Sequence, residues 1–311
     1  MIGRLVEIAS DGRYLHVYRG FMEINERQET LGRVPLDDMA ALIVSAHGLS
    51  YSNQLLVELA RRGVPTVICG RQMRPEAVVW PCESHHLQGA RIDSQLAATA
   101  PLNKRLWQQI VQAKLRGQAG VLEAFSLPYA PLTALVPKVR SGDAGNIEGV
   151  GARRYWPLLL GQGFRRDRAA GATNALLNYG YTVLRALVAR HLIATGLCPS
   201  IGLGHSNDGN ALRLVDDLIE PFRPFVDARV KIMVDGGVTE VNGSTKETLA
   251  AMMTQAVRYE SGTGALTNAV ERCCQSLVQI YAGDQRRLSL PDTSASGIWF
   301  FLSGSTDGES A

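Results

Sequence analysis

The stretch ATNALLNYGYTVLRALVARHLIATG, residues 172–196, repeats apolar side chains at the spacing of one helix face. These side chains belong to Leu176, Leu177, Tyr181, Leu184, Leu187, Val188 and Leu192. A face this apolar must be covered by other elements, so we expect the helix to lie in the core of a helical region. Similar periodicity predicts further helices over 102–125, 146–161, 210–230, 246–258 and 264–282, with an interruption at Pro221 and Pro224.

The N-terminal part of the chain has a different pattern, because short runs of β-forming residues alternate with turn signals such as Asp11-Gly12 and Arg19-Gly20. These runs cover 4–8, 14–18, 21–25 and 29–34, and buried strands are indicated at 40–46 and 64–69, on either side of a helix at 51–62. The sequence therefore predicts an α+β fold of two domains. We expect a small β-rich domain at 1–75, a linker at 76–86, a larger all-α catalytic domain at 87–302 and a flexible tail at 303–311.

Composition excludes several classes of protein. The chain has 311 residues, of which 46% are hydrophobic and 20% charged, which is typical of a globular protein and not of a disordered chain or a coiled coil. No apolar run approaches the roughly 18 residues of a membrane helix, and the start lacks the apolar region of a signal peptide. The five scattered cysteines do not indicate a disulfide framework, so we expect a reduced, cytoplasmic location.

Acidic residues and one histidine in the helical part suggest a site for a divalent cation. Glu148 lies at a predicted helix start, and His205 lies in the glycine-rich segment IGLGHSNDGN. Asp216, Asp217 and Glu220 share one face of a predicted helix, where like charges repel unless a cation separates them. Carboxylates with one imidazole suit Mg²⁺ or Mn²⁺. The alternative is a solvated acidic helix face and a structural histidine, and spacing alone does not bring the three segments together.

Basic residues are concentrated between residues 138 and 168. Seven cations face only three acids there, in a chain whose net charge is +3 and whose 32 basic residues include 27 arginines. The seven are Lys138, Arg140, Arg153, Arg154, Arg165, Arg166 and Arg168. Arginine is the better phosphate ligand, so we expect a surface that contacts nucleic-acid backbone without sequence preference. On a helix, Arg165 and Arg168 would share a face and Arg166 would be structural. The alternatives are a solvated helix face and an arginine-rich codon usage.

The same segments resemble a known family. NALLNYGYTVLRALVARHLIATGL (174–197), GHSN (204–207) with the following Asn210, and DDLIEPFRPFVD (216–227) are similar to the CRISPR-associated integrase of spacer acquisition, the Cas-one family, and above all to its type II branch. ARRYWPLLLGQGFRR (152–166) and HGLSYSNQLLVELARRGVPTVIC (47–69) match as well. The resemblance covers nearly the whole chain in order, and the D-L-x-E-P-F-R-P string is specific.

The resemblance implies a metal-dependent site formed by Glu148, His205 and Glu220, which would hold Mg²⁺ or Mn²⁺. Asp217 corresponds to an auxiliary acid one turn before the last ligand, and Asp216 has no clear family role and is expected to be exposed. The last ligand is aspartate in several branches of the family, whereas this chain has glutamate, as the type II branch does. The DNA-contacting residues are expected to be Lys138, Arg140, Arg153, Arg154, Arg165 and Arg168.

The resemblance also implies an activity and partners. The 3′-hydroxyl of a captured double-stranded DNA fragment would attack a phosphodiester at the CRISPR repeat, with no covalent enzyme intermediate. A homodimer would assemble with the small partner Cas-two. The short hydrophobic strands of the N-terminal domain leave edges that need covering, so we expect this domain to form the dimer. Two alternatives stay open. One is a plain metal-dependent nuclease, because the same site could direct water to branched or single-stranded DNA. The other alternative is a non-catalytic DNA-binding scaffold, which would require a broken ligand set.

Overall fold

A computed structural model describes residues 4–27, 29–70, 75–167, 169–205, 207–260 and 262–304. The chain begins with two four-stranded sheets. The first has the order β1 (Arg4–Ile8), β5 (Met39–Val44), β7 (Thr66–Cys69) and β8 (Pro75–Val79), and only the β7–β8 pair is antiparallel. The second has the order β4 (Glu29–Pro35), β3 (Phe21–Glu26), β2 (Tyr14–Tyr18) and β6 (Ser50–Tyr51), and only the β2–β6 pair is parallel.

Strand β5 is buried along its whole length, as expected for a central strand covered on both faces. Leu42 and Val44 face a small core between the two sheets, which helix α1 (Asn53–Arg61) completes with Leu55 and Leu59. Ala41 and Ile43 on the opposite face of the strand belong to the large helical core. The first sheet therefore packs on both sides, and one of its faces covers the helices.

The helices follow the strands in the chain. Their bounds are α2 Gln88–Leu96, α3 Ala100–Ala124, α4 Ala130–Thr133, α5 Ile147–Leu160, α6 Thr173–Ala194, α7 Arg213–Leu218, α8 Arg223–Asp235, α9 Gly243–Ala251, α10 Leu266–Ala282 and α11 Ala295–Ser303. Helix α6 contains the apolar face predicted from the sequence, and all seven side chains of that face are buried. It packs against β5, α8, α9 and α10, so it is central to the fold.

The structure corrects two expectations about the architecture, and a third stays a prediction. The helical part is not all-α, because the helix predicted over 246–258 ends at Ala251 and an antiparallel hairpin follows, β9 (Ala256–Tyr259) with β10 (Gly262–Ala265). Helical periodicity could not reveal this hairpin, because its strands have only four residues each and the helix that covers β9, α11, lies further along the chain. Residues 75–79 form a strand of the first sheet, so the predicted linker begins inside that sheet. The division into two domains stays a prediction.

Contacts between strands and helices hold the two regions together. The Lys246 ammonium lies 2.6 Å from Glu7 Oε1, and Arg190 donates to the Met39 carbonyl at 2.5 Å. The predicted tail overlaps α11 at Ser303, and residues 305–311 lie outside the described part. None of the described helices is both long and apolar enough to cross a membrane.

Candidate active site

Glu148 and Glu220 meet at a buried lysine. The Lys114 ammonium, from the middle of α3, lies 2.6 Å from Glu148 Oε1 and 2.5 Å from Glu220 Oε2. Glu148 is in the first turn of α5, and Glu220 begins a short 3₁₀ turn, Glu220–Phe222, between α7 and α8. The pKa of His205 is raised mainly by a hydrogen bond to Asp217, and the charges of Glu220 and Glu148 add smaller effects in the same direction. The fold therefore brings two of the three predicted ligands to one lysine, and the third, His205, lies within range of their charges.

The start of α5 is capped from both sides, and this capping positions Glu148. Asn146 adopts a left-handed conformation and its side chain accepts from the Gly149 N–H. The buried Asp143 carboxylate accepts from the N–H groups of Ile147 and Glu148 at 2.9 and 3.0 Å. These acceptors satisfy amides that have no partner within the helix, so the turn that carries Glu148 is held in one conformation.

Asp217 positions His205. Its fully buried carboxylate accepts the backbone N–H groups of Leu203, Gly204 and His205, and it lies 2.6 Å from His205 Nδ1. This hydrogen bond raises the pKa of His205, against the opposing effect of burial. With Nδ1 donating to a carboxylate, Nε2 is the nitrogen left for a metal ion. The edge of the His205 ring also packs against Trp107, with 5.4 Å between ring centroids.

Two cations flank the buried Glu220 carboxylate. Arg223 Nε donates to Oε1 at 2.9 Å, while Lys114 lies beside Oε2. Burial alone would raise the pKa of Glu220, but Arg223 and then Lys114 lower it to about 2. Glu220 is therefore ionised and available as a ligand at any physiological pH. Arg223 in turn lies over the Tyr181 ring, 4.4 Å from its centroid.

A buried acid lies behind this site. Asp227 accepts a hydrogen bond from the Tyr155 hydroxyl at 3.1 Å and a second from the Tyr181 hydroxyl. Burial raises the pKa of Asp227 to about 6, although the two hydroxyls and Arg223 oppose this shift. The three residues come from α5, α6 and α8, so their hydrogen bonds join the helices that surround the candidate site.

Asp216 differs from the expectation of an exposed residue without a role. It forms an ion pair with Arg185 through both carboxylate oxygens and accepts from Asn210 Nδ2 at 2.7 Å. The helix geometry explains the difference, because Asp216 and Asp217 lie about 100° apart on α7 and face different neighbours. Asp216 lines a polar cavity of about 780 Å³ beside the candidate site, together with Trp80, Arg185 and Arg223.

The predicted DNA-contacting residues divide into exposed and internal ones. Lys138, Arg140, Arg153, Arg154 and Arg165 are exposed. Arg166 is half-buried and donates to the side-chain oxygens of Asn174 and Asn178, so its predicted structural role is consistent with its contacts. The helical spacing assumed for 165–168 is wrong, because α5 ends at Leu160 and Arg165 lies in the following loop. Arg168 lies outside the described residues.

Lys114 and Arg223 were not singled out from the sequence. Lys114 lies four residues after Ile110 and three after Val111, both fully buried, so it belongs to an apolar helix face. A lysine in such a position needs carboxylate partners, and that requirement was the signal available in the sequence. Arg223 belongs to the D-L-x-E-P-F-R-P string itself.

The donor set suits a hard divalent cation. Two carboxylates and one imidazole nitrogen are ligands that Mg²⁺ and Mn²⁺ accept. Glu220 Oε2 is a buried oxygen whose contact with Lys114 lacks the geometry of a hydrogen bond, so it retains coordinating capacity. Within the described ranges, however, no three His, Cys, Asp or Glu side chains stand close enough to hold an ion as they lie. Lys114 stands between the two glutamates.

Known proteins resemble this chain over most of its length. Residues 6–261 match the sequence model of the family described as CRISPR associated protein Cas1. The chain is 32% identical over 290 residues to a CRISPR-associated endonuclease Cas1 of Neisseria meningitidis, a match that covers 92% of this chain and 95% of the relative. A Pyrobaculum aerophilum relative of the same description is 27% identical over 240 residues, which cover 72% of this chain and 81% of the relative.

Solved structures show the same fold. A casposase bound to its integration product superposes with a TM-score of 0.79 at 18% identity, covering 92% of each chain. A Cas1 protein from Thermotoga maritima superposes with a TM-score of 0.73 at 16% identity, covering 92% of this chain and 99% of the other. Because the sequence model spans most of the chain and the Neisseria relative aligns over nearly all of it, this chain belongs to the Cas1 family.

Proposed function

We propose that this chain is a divalent-metal-dependent DNA integrase and endonuclease of CRISPR adaptation, and that it inserts captured DNA fragments at the repeat. The observation that carries the proposal is the meeting of Glu148 and Glu220 at one buried cation, with His205 close enough for their charges to affect it. The names of the relatives support it, since the Neisseria and Pyrobaculum proteins are called endonucleases. The casposase neighbour, bound to an integration product, supports strand transfer in addition to hydrolysis.

The roles of the residues follow from their surroundings. Glu148, His205 Nε2 and Glu220 would hold Mg²⁺ or Mn²⁺, which would act as a Lewis acid on the reacting phosphodiester. In the neutral imidazole, Asp217 accepts a hydrogen bond from Nδ1–H of His205, which leaves the Nε2 lone pair for the metal ion. Arg223 fixes one oxygen of Glu220 and leaves the other facing the site. No side chain is needed as a covalent nucleophile, because the attacking group is the 3′-hydroxyl of the DNA.

The exposed cations near α5 would hold the DNA backbone. Lys138 and Arg140 precede the helix, and Arg153 and Arg154 project from it, so four of them belong to the segment that also carries Glu148. Phosphate contacts of this kind provide affinity without sequence preference. We also propose double-stranded DNA, a second copy of this chain and a Cas2 protein as partners. The fold shared with the Cas6-RT-Cas1–Cas2 complex, at a TM-score of 0.75, supports the Cas2 partner.

Strand transfer into a supercoiled plasmid that carries a CRISPR repeat tests the proposal. Fragments with a 3′-hydroxyl and fragments with a 3′-dideoxy end would be compared in Mg²⁺, Mn²⁺ and EDTA, with and without the Cas2 partner. We expect joined products only with the hydroxyl and a metal ion. Cleavage that is indifferent to the 3′ end would indicate the simple nuclease. DNA binding without cleavage or joining in any metal would indicate the scaffold.

A further inference from the structure

Lys114 is placed where the proposed metal ion would have to bind. Its ammonium contacts one oxygen of Glu148 and one of Glu220, at 2.6 and 2.5 Å, and its side chain is only 11% exposed. These two oxygens come from ligands that the proposed function assigns to the metal ion. Helix α3 supplies the lysine from the core side of the site, with Val111 and Leu115 fully buried next to it.

The charge of Lys114 reduces the repulsion between Glu148 and Glu220 in the metal-free protein. Two carboxylates that share a poorly hydrated site repel each other unless a cation lies between them. Arg223 satisfies one oxygen of Glu220, but it makes no described contact with Glu148. Lys114 is the described cation that bridges the pair, and its pKa is raised by Glu220 and Glu148 in spite of burial. The Lys114 ammonium therefore compensates the negative charge of the two carboxylates, as a bound divalent ion would.

The ammonium and a divalent ion cannot use the same oxygens at once. Mg²⁺ requires oxygen ligands at about 2.1 Å, which would bring it to within a few ångströms of an ammonium bonded to the same carboxylates. Two like charges at that separation repel strongly in a site with little water. The lysine head is attached to a flexible four-carbon stem, so it can leave the carboxylates without any movement of α3.

We propose that Lys114 is a tethered competitor of the catalytic metal ion: it occupies the space between Glu148 and Glu220 when the metal is absent, and metal binding displaces it. The inference rests on the proposed function, because it presupposes that these two glutamates bind a metal ion. It assigns Lys114 a positioning role in the metal-free protein, where it holds the two carboxylates close together. The cost is a lower affinity for the metal.

Titration of the full-length protein with Mn²⁺, followed by calorimetry and by electron paramagnetic resonance of the free ion, tests the inference. Lys114→Met removes the charge and keeps the length of the side chain. We expect it to bind Mn²⁺ about tenfold more tightly than the wild type. Without metal its melting temperature should be lower than that of the wild type, and Mn²⁺ should raise it by more. Lys114→Gln serves as a second neutral variant if Lys114→Met does not fold.

Two controls make the outcome specific. Lys104→Met removes an exposed lysine from the same helix and should leave Mn²⁺ affinity unchanged. Lys114→Arg keeps a cation and should bind Mn²⁺ no more tightly than the wild type. Equal or weaker Mn²⁺ binding by both neutral variants would overturn the inference, and so would the absence of binding by the wild type and both variants. The strand-transfer assay and Mn²⁺ binding by Glu220→Gln test the proposed function separately.

Discussion

At the scale of single residues, the three proposed ligands carry the chemistry, whereas affinity for DNA rests on other side chains. We expect Glu148→Ala, His205→Ala and Glu220→Ala each to reduce strand transfer below detection, because each removes a ligand. Binding of duplex DNA should change little, since it depends on phosphate contacts. Strand transfer and fluorescence anisotropy would be measured on the same preparations.

The loop that carries His205 offers a matched control for these variants. Asp208 is fully exposed and lies 4.0 Å from Arg213, so Asp208→Ala should retain full activity. Asp217→Asn should be intermediate, with a loss of about 10–100-fold, because the residue orients His205 without contacting DNA. Wild-type rates of strand transfer in any of the three ligand variants would remove that residue from the site.

Asp227 gives the protein a predictable pH dependence. Burial raises its pKa to about 6, above a value of about 3.9 in the unfolded chain, so the folded protein retains a proton that the unfolded chain releases. The stability that this group contributes is complete below about pH 4 and is lost as the pH rises through about 6. Relative to Asp227→Asn, the free energy of unfolding of the wild type should fall over this range by at most about 3 kcal/mol.

Urea unfolding of both proteins between pH 4 and pH 7.5 measures this difference. The asparagine variant keeps an oxygen that can accept from Tyr155 and Tyr181, so it removes the titration with little change in packing. Groups that titrate in both proteins, such as His205, cancel in the comparison. Unfolding free energies that run parallel over the whole range would show that Asp227 is ionised throughout.

At the scale of elements, the loop before α7 is the one most closely fitted to the site. A Cβ added at Gly204 would lie 2.2 Å from the Trp107 ring, and Trp107 is anchored in α3. Gly204→Ala would therefore push the loop away from Trp107 and move His205 with it. We expect a loss of strand transfer of about tenfold or more, since displacements of about 1 Å are costly in active sites.

Gly209 is the matched control, because an added Cβ there would meet only Asn207 Oδ1, at 3.6 Å. Gly209→Ala should behave as the wild type in the same assay. Mn²⁺ affinity measured on both variants shows whether the loss comes from a displaced ligand. Full activity in Gly204→Ala would mean that the loop moves without consequence for His205.

Some of these elements could be predicted from the sequence alone, and others could not. The apolar face of α6 and the strands β1 to β5 could be predicted, because their burial imprints a period on consecutive residues. Strands β9 and β10 have only four residues each, too few to show a clear period, and β9 packs against α11, which lies further along the chain. Glu148, His205 and Glu220 were identified through the family motifs. The bridging position of Lys114 depends on how α3 crosses α5 and the Glu220 turn, which local sequence does not encode.

At the scale of the whole molecule, the predicted homodimer can be tested at one exposed face. Deleting residues 1–75 is unsuitable, because Ala41, Ile43 and Val67 cover the helical core and their loss would expose it. Tyr18 and Phe21 form a cross-strand pair on the outer face of the second sheet and are 42% and 39% exposed. We expect Tyr18→Ser combined with Phe21→Ser to favour the monomer in sedimentation velocity, because apolar area is lost from the predicted interface.

The double change should also lower the free energy of unfolding, because more than half of each side chain is buried, so urea unfolding would be measured beside sedimentation. Val57→Ser is the control, because Val57 is similarly exposed at 38% but lies on α1. An unchanged dimer in the double variant would place the interface on another surface. A monomeric wild type would contradict the predicted homodimer directly.

The salt dependence of DNA binding tests the proposed phosphate surface across the molecule. Arg153 and Arg154 are both exposed on α5, but they lie about 100° apart, so one or both can reach a phosphate. Each lost contact with duplex DNA should reduce the slope of log affinity against log salt by about 0.9, so the double alanine variant should lose between about 0.9 and 1.8.

The decrease should be the same on unrelated DNA sequences, because backbone contacts carry no base information. Arg61→Ala is the control, since its side chain is 71% exposed on α1 and pairs only with Glu58 among the described acids. Arg166→Ala is a poor probe, because that side chain holds Asn174 and Asn178 and its loss would loosen the loop after α5.

If the slope of the double variant equals that of the wild type, the DNA does not cross α5 at these arginines. Lys138 and Arg140 are exposed and precede α5 in the same basic stretch, so they are then the next residues to substitute.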